Sequence, residues 1–188
     1  MKRYLFAAYK AGSSKTTLAL GMAKLSYLVW PDEVKIHLED KDHLQESLST
    51  FADIAKIPTY DIDDANMVIT DTGAKSSNLS LEAQKATAII VPCVPSPIDI
   101  AVNQEFVKKE FSKFKKKTFI VWTRVRGNVR MDRDIIAGEG AYAGLFKGFK
   151  VLNSTMRESA DYRQFVLTGD LPKRSKDELS SIMLEITR

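Results

Sequence analysis

The chain has 188 residues, of which 44% are hydrophobic and 28% charged, and its formal net charge is +4 at pH 7. These values are typical of one folded domain with a sizeable core. A single cysteine excludes a disulfide framework or a cysteine metal cluster within one chain, and two histidines are too few for a convincing metal site. No apolar run approaches the roughly 20 residues of a membrane-spanning helix.

Hydrophobic periodicity predicts strands that alternate with helices along the chain. Strands are predicted at residues 4–8, 34–38, 67–70, 88–91, 118–122 and 150–152. Helices are predicted at residues 16–29, 43–57, 80–85, 99–114, 132–146, 159–167 and 176–186. The helix at residues 132–146 is expected to be interrupted or loosened by Gly138, Gly140 and Gly144. The alternation predicts a single α/β domain over residues 1–188, with a mainly parallel, twisted sheet covered by helices on both faces.

The loop after the first predicted strand has the composition of an anion-binding site. It reads Lys10-Ala11-Gly12-Ser13-Ser14-Lys15-Thr16-Thr17 and leads directly into the first helix. Backbone N–H groups and the helix dipole favour a phosphate there, with Lys15 on the β- and γ-phosphates and the Thr16 hydroxyl on Mg²⁺. Tyr9 and Ser14 stand where a standard phosphate loop has glycine, and an ordinary helix cap is the simpler alternative.

Acidic residues follow the second and third predicted strands. Because the carboxyl ends of parallel strands meet at one edge of a sheet, we expect Asp40, Asp42 and Asp71 to lie near the first loop. Thr16 and Asp71, together with Asp40, are candidates for holding hydrated Mg²⁺. Asp42 is the first candidate for orienting an attacking water, and Asp40 the second. The alternatives are a turn residue at Asp71 and a helix cap at Asp40 or Asp42.

Positive charge is concentrated in one later stretch. It contains Lys108, Lys109, Lys113, Lys115, Lys116, Lys117, Arg124, Arg126 and Arg130, against the single acid Glu110. Such asymmetry indicates a surface for nucleic acid or another polyanion, and a solvated helix face is the alternative.

Together these motifs resemble those of the ParA/MinD ATPases. The first loop resembles their deviant Walker A motif, Lys-Gly-Gly-x-Gly-Lys-Thr-Thr. Asp40-Lys41-Asp42 resembles their Asp-x-Asp, and Asp71-Thr72-Gly73 resembles the end of their Walker B motif. The segment Ala88-Ile89-Ile90-Val91-Pro92, with Pro95-Ser96-Pro97-Ile98-Asp99, is similar to a strand and turn of small plasmid-partition ParA proteins. Thr123-Arg124-Val125-Arg126 occupies the place of a base-contacting segment, and the motifs cover residues 1–130.

The resemblance implies ATP and Mg²⁺ as cofactors and an ATP-dependent homodimer with both nucleotides at its interface. Lys10 is then the signature lysine that reaches the partner's phosphates, Asp42 supports hydrolysis, and the catalytic set is Lys10, Asp42 and Lys15. The implied nucleotide-binding residues are Lys10, Ala11, Gly12, Ser13, Ser14, Lys15, Thr16, Thr17 and Arg124.

The resemblance also implies partition of plasmid or chromosomal DNA, with non-specific binding of duplex DNA and a centromere-binding or other activating partner protein. We therefore expect a cytoplasmic, nucleoid-associated protein, in keeping with an N-terminus that lacks a signal-peptide pattern. The candidate DNA contacts are Lys113, Lys115, Lys116, Lys117, Arg126 and Arg130, with Lys147, Lys150, Arg157 and Arg163 as further candidates.

Departures from the family pattern keep alternatives open. Ser14 replaces a glycine and resists a positive φ, which predicts slow hydrolysis and allows a nucleotide-gated switch such as a conjugation or transfer accessory. A MinD-like positioning protein would need a basic amphipathic C-terminal helix. Residues 180–188 carry few cations, so we expect them to pack on the core and expect no stable membrane association. A small-molecule synthetase and a nucleotide kinase are weaker alternatives.

Overall fold

Strands and helices alternate along the part of the chain that the computed structural model describes, which is residues 1–9, 12–41, 47–73, 78–138 and 144–188. The strands are β1 (Lys2–Ala7), β2 (Ile36–Asp40), β3 (Met67–Thr72), β4 (Ala88–Cys93), β5 (Thr118–Trp122) and β6 (Lys150–Val151). The helices are α1 (Lys15–Val29), α2 (Ser47–Ile54), α3 (Leu79–Lys85), α4 (Pro97–Phe111), α5 (Arg130–Ala137), α6 (Ala160–Thr168) and α7 (Lys173–Thr187), with a 3₁₀ helix at Ser112–Lys117.

The strands form one six-stranded sheet in the order β2-β3-β1-β4-β5-β6. Each neighbouring pair is parallel, so all strands end at the same side, here called the carboxyl edge, and begin at the opposite amino edge. From β1 the chain continues to β2 and β3, which lie on one side of β1, and then crosses to β4, β5 and β6 on the other side. Ligands of such sheets bind at the carboxyl edge near this reversal, which here is the end of β1.

Both faces of the sheet are covered. Along β1, Tyr4 and Phe6 belong to the core under α1, α2, α6 and α7, whereas Leu5 and Ala7 belong to the core under α3, α4 and α5. Successive side chains of a strand point to opposite faces, so a strand buried on both sides is apolar throughout. The predicted α/β fold with a parallel, doubly covered sheet is confirmed.

Several predicted boundaries were wrong. The strand predicted at residues 67–70 extends to Thr72, so Asp71 lies inside the strand. The helix predicted at residues 99–114 begins at Pro97, where Ser96 caps the Asp99 N–H, and ends at Phe111. The helix predicted at residues 132–146 begins at Arg130 and ends at Ala137, before the first of the glycines expected to interrupt it, because Gly138 adopts φ +66° at its C-cap. A left-handed glycine is a common helix stop.

The C-terminal helix packs on the core as predicted. Leu179, Ile182 and Ile186 of α7 are buried. A Cβ placed on Gly21 of α1 would lie 2.7 Å from Leu179 Cδ1, so the two helices cross where α1 has no side chain. Within the described residues, the structure contains no helix long and apolar enough to cross a membrane.

Candidate functional site

The carboxyl edge brings the end of β3 against the start of α1. Lys15 is the first residue of α1, and its Nζ lies 2.5 Å from Oδ1 of Asp71. The Thr16 hydroxyl donates to the other carboxylate oxygen, Oδ2, over 2.6 Å. The side chain of Asp71 is 1% exposed and that of Lys15 is 11% exposed. One buried carboxylate therefore accepts hydrogen bonds from both residues that the sequence assigned to phosphate and metal.

The electrostatics of Asp71 favour a nearby cation. Burial raises the pKa of the Asp71 carboxyl, and the charge and hydrogen bonds of Lys15 and the hydrogen bond from Thr16 act in the opposite direction. The neighbouring Asp40 adds to the rise in pKa. A divalent cation beside Asp71 would stabilise its charged form further, because an opposite charge within a few ångströms offsets desolvation.

The loop backbone before α1 is unusual. Gly12 has φ +81° and Ser14, at the N-cap of α1, has φ +66°. The Ser14 side chain makes no capping hydrogen bond, so this hydroxyl does not provide the ordinary side-chain cap. The Ser13 hydroxyl is buried and has no hydrogen-bond partner among the described residues. Free N–H groups of a first helical turn beside an unpartnered hydroxyl suit a phosphate ligand.

Asp40 lies next to Asp71 at the end of β2, directly opposite it in the parallel register. Its Oδ2 accepts the Leu48 N–H at 2.9 Å, which is the helix-capping alternative raised by the sequence. Asp40 as a metal ligand stays a prediction. Lys10, Ala11 and Asp42 lie outside the described residues.

The loop after β5 is attached to the phosphate loop. The Thr123 hydroxyl donates to the Ser13 carbonyl oxygen over 2.9 Å. Arg124, with φ +55°, donates from Nη1 to the Gly12 carbonyl oxygen over 3.2 Å and from Nη2 to Glu158 Oε1 over 3.1 Å. The structure thus places Arg124 beside the phosphate loop, and its role in nucleotide binding stays a prediction. Thr123, which the sequence had assigned to a base-contacting segment, contacts the loop as well, and Glu158 is a residue that the sequence reasoning missed.

A cavity of about 450 Å³ opens beside the loop. This volume lies in the range of small-molecule sites, about 300–1,000 Å³. Its wall comes from α6 and the segment before it, which carry no recognisable motif. The lining residues are Ser14, Thr17, Arg124, Met156, Arg157, Glu158, Ser159, Tyr162, Arg163, Val166 and Leu167.

One acidic residue binds two side chains on the α6 side of the cavity. Glu178 of α7 accepts hydrogen bonds from the Tyr162 hydroxyl, over 2.8 Å, and from Arg157 Nε. Burial, followed by the interaction with Glu178, raises the pKa of the Tyr162 hydroxyl, so Tyr162 is a neutral donor. Arg157 and Arg163, two of the further DNA candidates, are therefore cavity residues in this structure.

The predicted DNA contacts fall into two groups at opposite edges of the sheet. Lys113, Lys115, Lys116 and Lys117 lie on the 3₁₀ helix before β5, at the amino edge. Arg126 and Arg130 follow β5, at the carboxyl edge. The sequence treated them as one basic stretch, but the length of β5 separates them.

Two of these candidates have internal partners. Lys117 Nζ donates to the carbonyl oxygens of Ala86, over 2.6 Å, and Gln84, over 3.1 Å, and burial lowers its pKa. Arg126 pairs with the buried carboxylate of Asp132 over 3.2 Å, and this contact raises the Arg126 pKa. Both side chains tie parts of the fold together.

The structure resembles several solved ATPases. McdA of Cyanothece matches with a TM-score of 0.75 at 16% identity, covering 100% of both chains. A Borrelia burgdorferi protein assigned to plasmid partition and bound to AMPPNP matches with a TM-score of 0.69 at 18% identity, and the match covers 99% of this chain and 98% of that one. The MinC:MinD cell division complex of Aquifex aeolicus matches with a TM-score of 0.72 at 11% identity, and the match covers 100% of this chain and 97% of that one. By sequence, no protein-family model and no curated protein matches.

These structural neighbours are ParA/MinD-family ATPases, matched along nearly their whole length. At such identities the likeness shows the fold, and the chain therefore has the P-loop fold of these ATPases.

Proposed function

We propose that this chain, which has the fold of the ParA/MinD ATPases, binds ATP with Mg²⁺ and hydrolyses it slowly, forms an ATP-dependent homodimer, and helps to segregate plasmid or chromosomal DNA. The observation that carries the proposal is the shared contact of Lys15 and Thr16 with the buried Asp71, beside a nucleotide-sized cavity. The site lies at the carboxyl edge of the sheet, where ligands of parallel sheets bind, and one structural neighbour is bound to AMPPNP.

The residues present fit this ligand. Lys15 and the N–H groups of the first turn of α1 would bind the phosphates, with the Ser13 hydroxyl as a further donor. Thr16 and Asp71, with Asp40 beside them, offer the oxygen ligands that Mg²⁺ prefers. The metal would supply charge neutralisation for the phosphates when bound. Arg124 would add a second cation at the mouth of the cavity, where it already contacts Gly12.

Hydrolysis and assembly rest on residues outside the described part of the chain. We assign Asp42 to the orientation of water and Lys10 to the phosphates of a partner subunit, following the resemblance of their motifs. An activating partner protein, non-specific duplex DNA and a cytoplasmic, nucleoid-associated location belong to the same proposal. The MinC:MinD complex supports a partner protein at the level of the fold.

Light scattering and DNA titration test the proposal together. With ATP and Mg²⁺, the protein should double its mass and bind an arbitrary duplex in a salt-sensitive manner, and Lys15→Ala should do neither. An unchanged mass and an unchanged DNA affinity on adding ATP and Mg²⁺ would refute the proposed function.

One observation favours a second candidate, a nucleotide-gated switch with little hydrolysis. Ser14 holds a left-handed backbone at a position where the deviant Walker A motif that the loop resembles has glycine, and Ser14 lines the cavity. Measuring turnover with and without duplex DNA separates the candidates, since brisk stimulated hydrolysis excludes the pure switch. Ser14→Gly should raise turnover if the serine limits it.

A further inference from the structure

We propose that duplex DNA binds at the amino edge of the sheet, on Lys113, Lys115, Lys116, Lys147 and Lys150, here called the amino-edge cluster. The inference rests on the DNA binding in the proposed function and selects one of the two basic surfaces for it. The cluster lies at the opposite end of the strands from Lys15 and Asp71.

Two separate chain segments build the cluster. Lys113, Lys115 and Lys116 belong to the 3₁₀ helix before β5, whereas Lys147 lies in the turn before β6 and Lys150 begins that strand. The side chain of Lys115 lies against the turn, since its Cδ is 3.4 Å from the position of a Cβ on Gly148. Lys150 stands opposite Phe119 in the register of β5 and β6. Residues distant in sequence therefore form one basic surface.

The positive charge of the cluster is available for a ligand. Among the described residues, none of its five lysines forms an ion pair with an acid. Four arginines at the carboxyl edge are paired instead: Arg124 with Glu158, Arg126 with Asp132, Arg130 with Asp134 and Arg157 with Glu178. Releasing a paired arginine to a phosphate costs the existing pair, whereas an unpaired lysine exchanges only water and counterions.

Aromatic rings support the ammonium groups without neutralising them. Lys115 Nζ lies 5.7 Å from the centre of the Phe149 ring, and Lys150 Nζ lies 4.9 Å from that of Phe119. Such contacts hold a long side chain in place while leaving its N–H groups to water or phosphate. The cluster is thus partly ordered before any polyanion arrives.

The composition around the cluster favours a phosphate backbone over a lipid surface. A membrane-binding patch combines cations with large apolar side chains that insert among the lipids. Among the described residues from 112 to 117 and from 144 to 151, the only exposed large apolar side chain is Val151. A groove of about 380 Å³ runs beside the lysines, and Glu105 is the one acid that lines it.

The position of the cluster keeps DNA away from the nucleotide. If two copies join through their carboxyl edges, their amino edges point outwards at opposite ends of the dimer. DNA would then occupy neither the nucleotide site nor the subunit interface, and each dimer would carry two clusters able to bind separate duplex segments.

The test measures binding of a fluorescent random-sequence duplex to the full chain with ATP and Mg²⁺ over a range of salt concentrations. The triple variant Lys113→Ala, Lys116→Ala, Lys147→Ala removes three exposed charges. It keeps Lys115 and Lys150, whose ammonium groups lie over aromatic rings. Its matched control is Arg130→Ala, Arg133→Ala, Lys173→Ala, which removes the same charge elsewhere. The cluster variant should bind DNA at least tenfold more weakly, and the slope of log K against log[salt] should fall by about 2–3, at roughly 0.9 per phosphate contact.

ATP affinity and thermal unfolding, measured on the same samples, separate a lost interface from a lost fold, and both should match the wild type. A loss of DNA binding in the control triple but not in the cluster variant would overturn the inference and leave the proposed function standing. Lysine-dependent binding to vesicles with anionic lipid in place of duplex DNA would also overturn it. A wild-type protein that binds ATP but no duplex would contradict both this inference and the DNA-binding part of the proposed function.

Discussion

The Nζ atom of Lys15 lies 2.5 Å from Oδ1 of Asp71, so the residue assigned to phosphate is paired with the residue assigned to the metal. In the proposed function, a bound nucleotide would replace this contact. When Lys15 turns to a phosphate, the buried carboxylate loses its cation, and leaving a buried charge unpaired is costly. Mg²⁺ at Asp71 would restore the balance, which is why we expect ATP and the metal to bind cooperatively.

Removing the Thr16 hydroxyl should uncouple the metal from the nucleotide. Thr16→Val deletes the Oγ1 that contacts Asp71 but keeps the β-branched shape. ATP affinity in the presence of Mg²⁺ should fall about tenfold, the cost of one lost charge-assisted contact, while the affinity for metal-free ATP should change little. Titrations with and without Mg²⁺ measure both. Thr187→Val, at the end of α7, is the control, and an equal loss in both conditions would contradict the role of Thr16.

Ser14→Gly should stabilise the protein. Ser14 has φ +66°, where an L-residue is strained by about 1–2 kcal/mol and glycine is not. The greater freedom of glycine in the unfolded chain offsets part of this gain, so urea denaturation should show an increase of about 0.5–1 kcal/mol in the free energy of unfolding. Ser80→Gly, in the first turn of α3, should instead destabilise by up to about 0.5 kcal/mol, because glycine has the lower helix propensity. A similar loss in both variants would show that Ser14 is not strained.

The convergence of Lys15, Thr16 and Asp71 could be predicted from the sequence because it follows from strand direction alone. In a parallel sheet, the loops that follow the strands meet at one edge. The order of the motifs along the chain was therefore enough to predict that these three residues lie close together. The extra residues of β3 did not disturb this, because Asp71 still lies near the strand's end.

The wall of the cavity could not be predicted in this way. Tyr162 and Glu158 reach the site because α6 and the segment before it fold back beside the loop, and no local pattern signals that contact. The basic stretch was misleading for a related reason: Lys116 and Arg126 are close in sequence, but a whole strand runs between them. The direct pairing of Lys15 with Asp71 depends on side-chain conformation, which periodicity does not describe.

Glu158→Gln should strengthen nucleotide binding. Glu158 lines the cavity and pairs with Arg124, so its charge both repels phosphate and occupies the arginine. Both side chains are substantially exposed, at 47% and 39%, which limits the effect to about 1 kcal/mol or a fivefold tighter complex at most. Arg124→Gln should weaken binding, and in that background Glu158→Gln should have a smaller effect. Calorimetric titration of the single and double variants checks this.

Glu82→Gln, which removes the acid of the pair between Glu82 and Lys85, is the matched control for charge and should leave ATP affinity unchanged. Weaker ATP binding in Glu158→Gln would show that Glu158 helps to bind the nucleotide and does not compete with it.

Gly169→Ala should destabilise the fold strongly. Gly169 has φ +75° at the end of α6, and a Cβ there would lie 2.4 Å from the Ile54 carbonyl oxygen and 2.6 Å from Ala55 Cα. Because these atoms are backbone, relief requires α6 and the end of α2 to move apart. We expect a loss of about 2–4 kcal/mol in the free energy of unfolding, from left-handed strain and overpacking together.

Gly127→Ala is the control for this substitution, since a Cβ at Gly127 meets no atom within 4 Å. Its effect should stay within about 0.5 kcal/mol. Chemical denaturation measures both variants, and equal stabilities would contradict the close approach of α6 to the end of α2.

Calorimetric titration of ATP into the wild type and Lys15→Ala, each with and without Mg²⁺, tests the central claim most directly. The wild type should bind ATP more tightly with Mg²⁺, and Lys15→Ala should bind at least about 100-fold more weakly because a buried charge partner of the ligand is lost. Lys35→Ala, a lysine that faces the Tyr60 ring, should behave as the wild type. Equal ATP affinity in Lys15→Ala and the wild type, or no binding by the wild type, would contradict a nucleotide site at the start of α1.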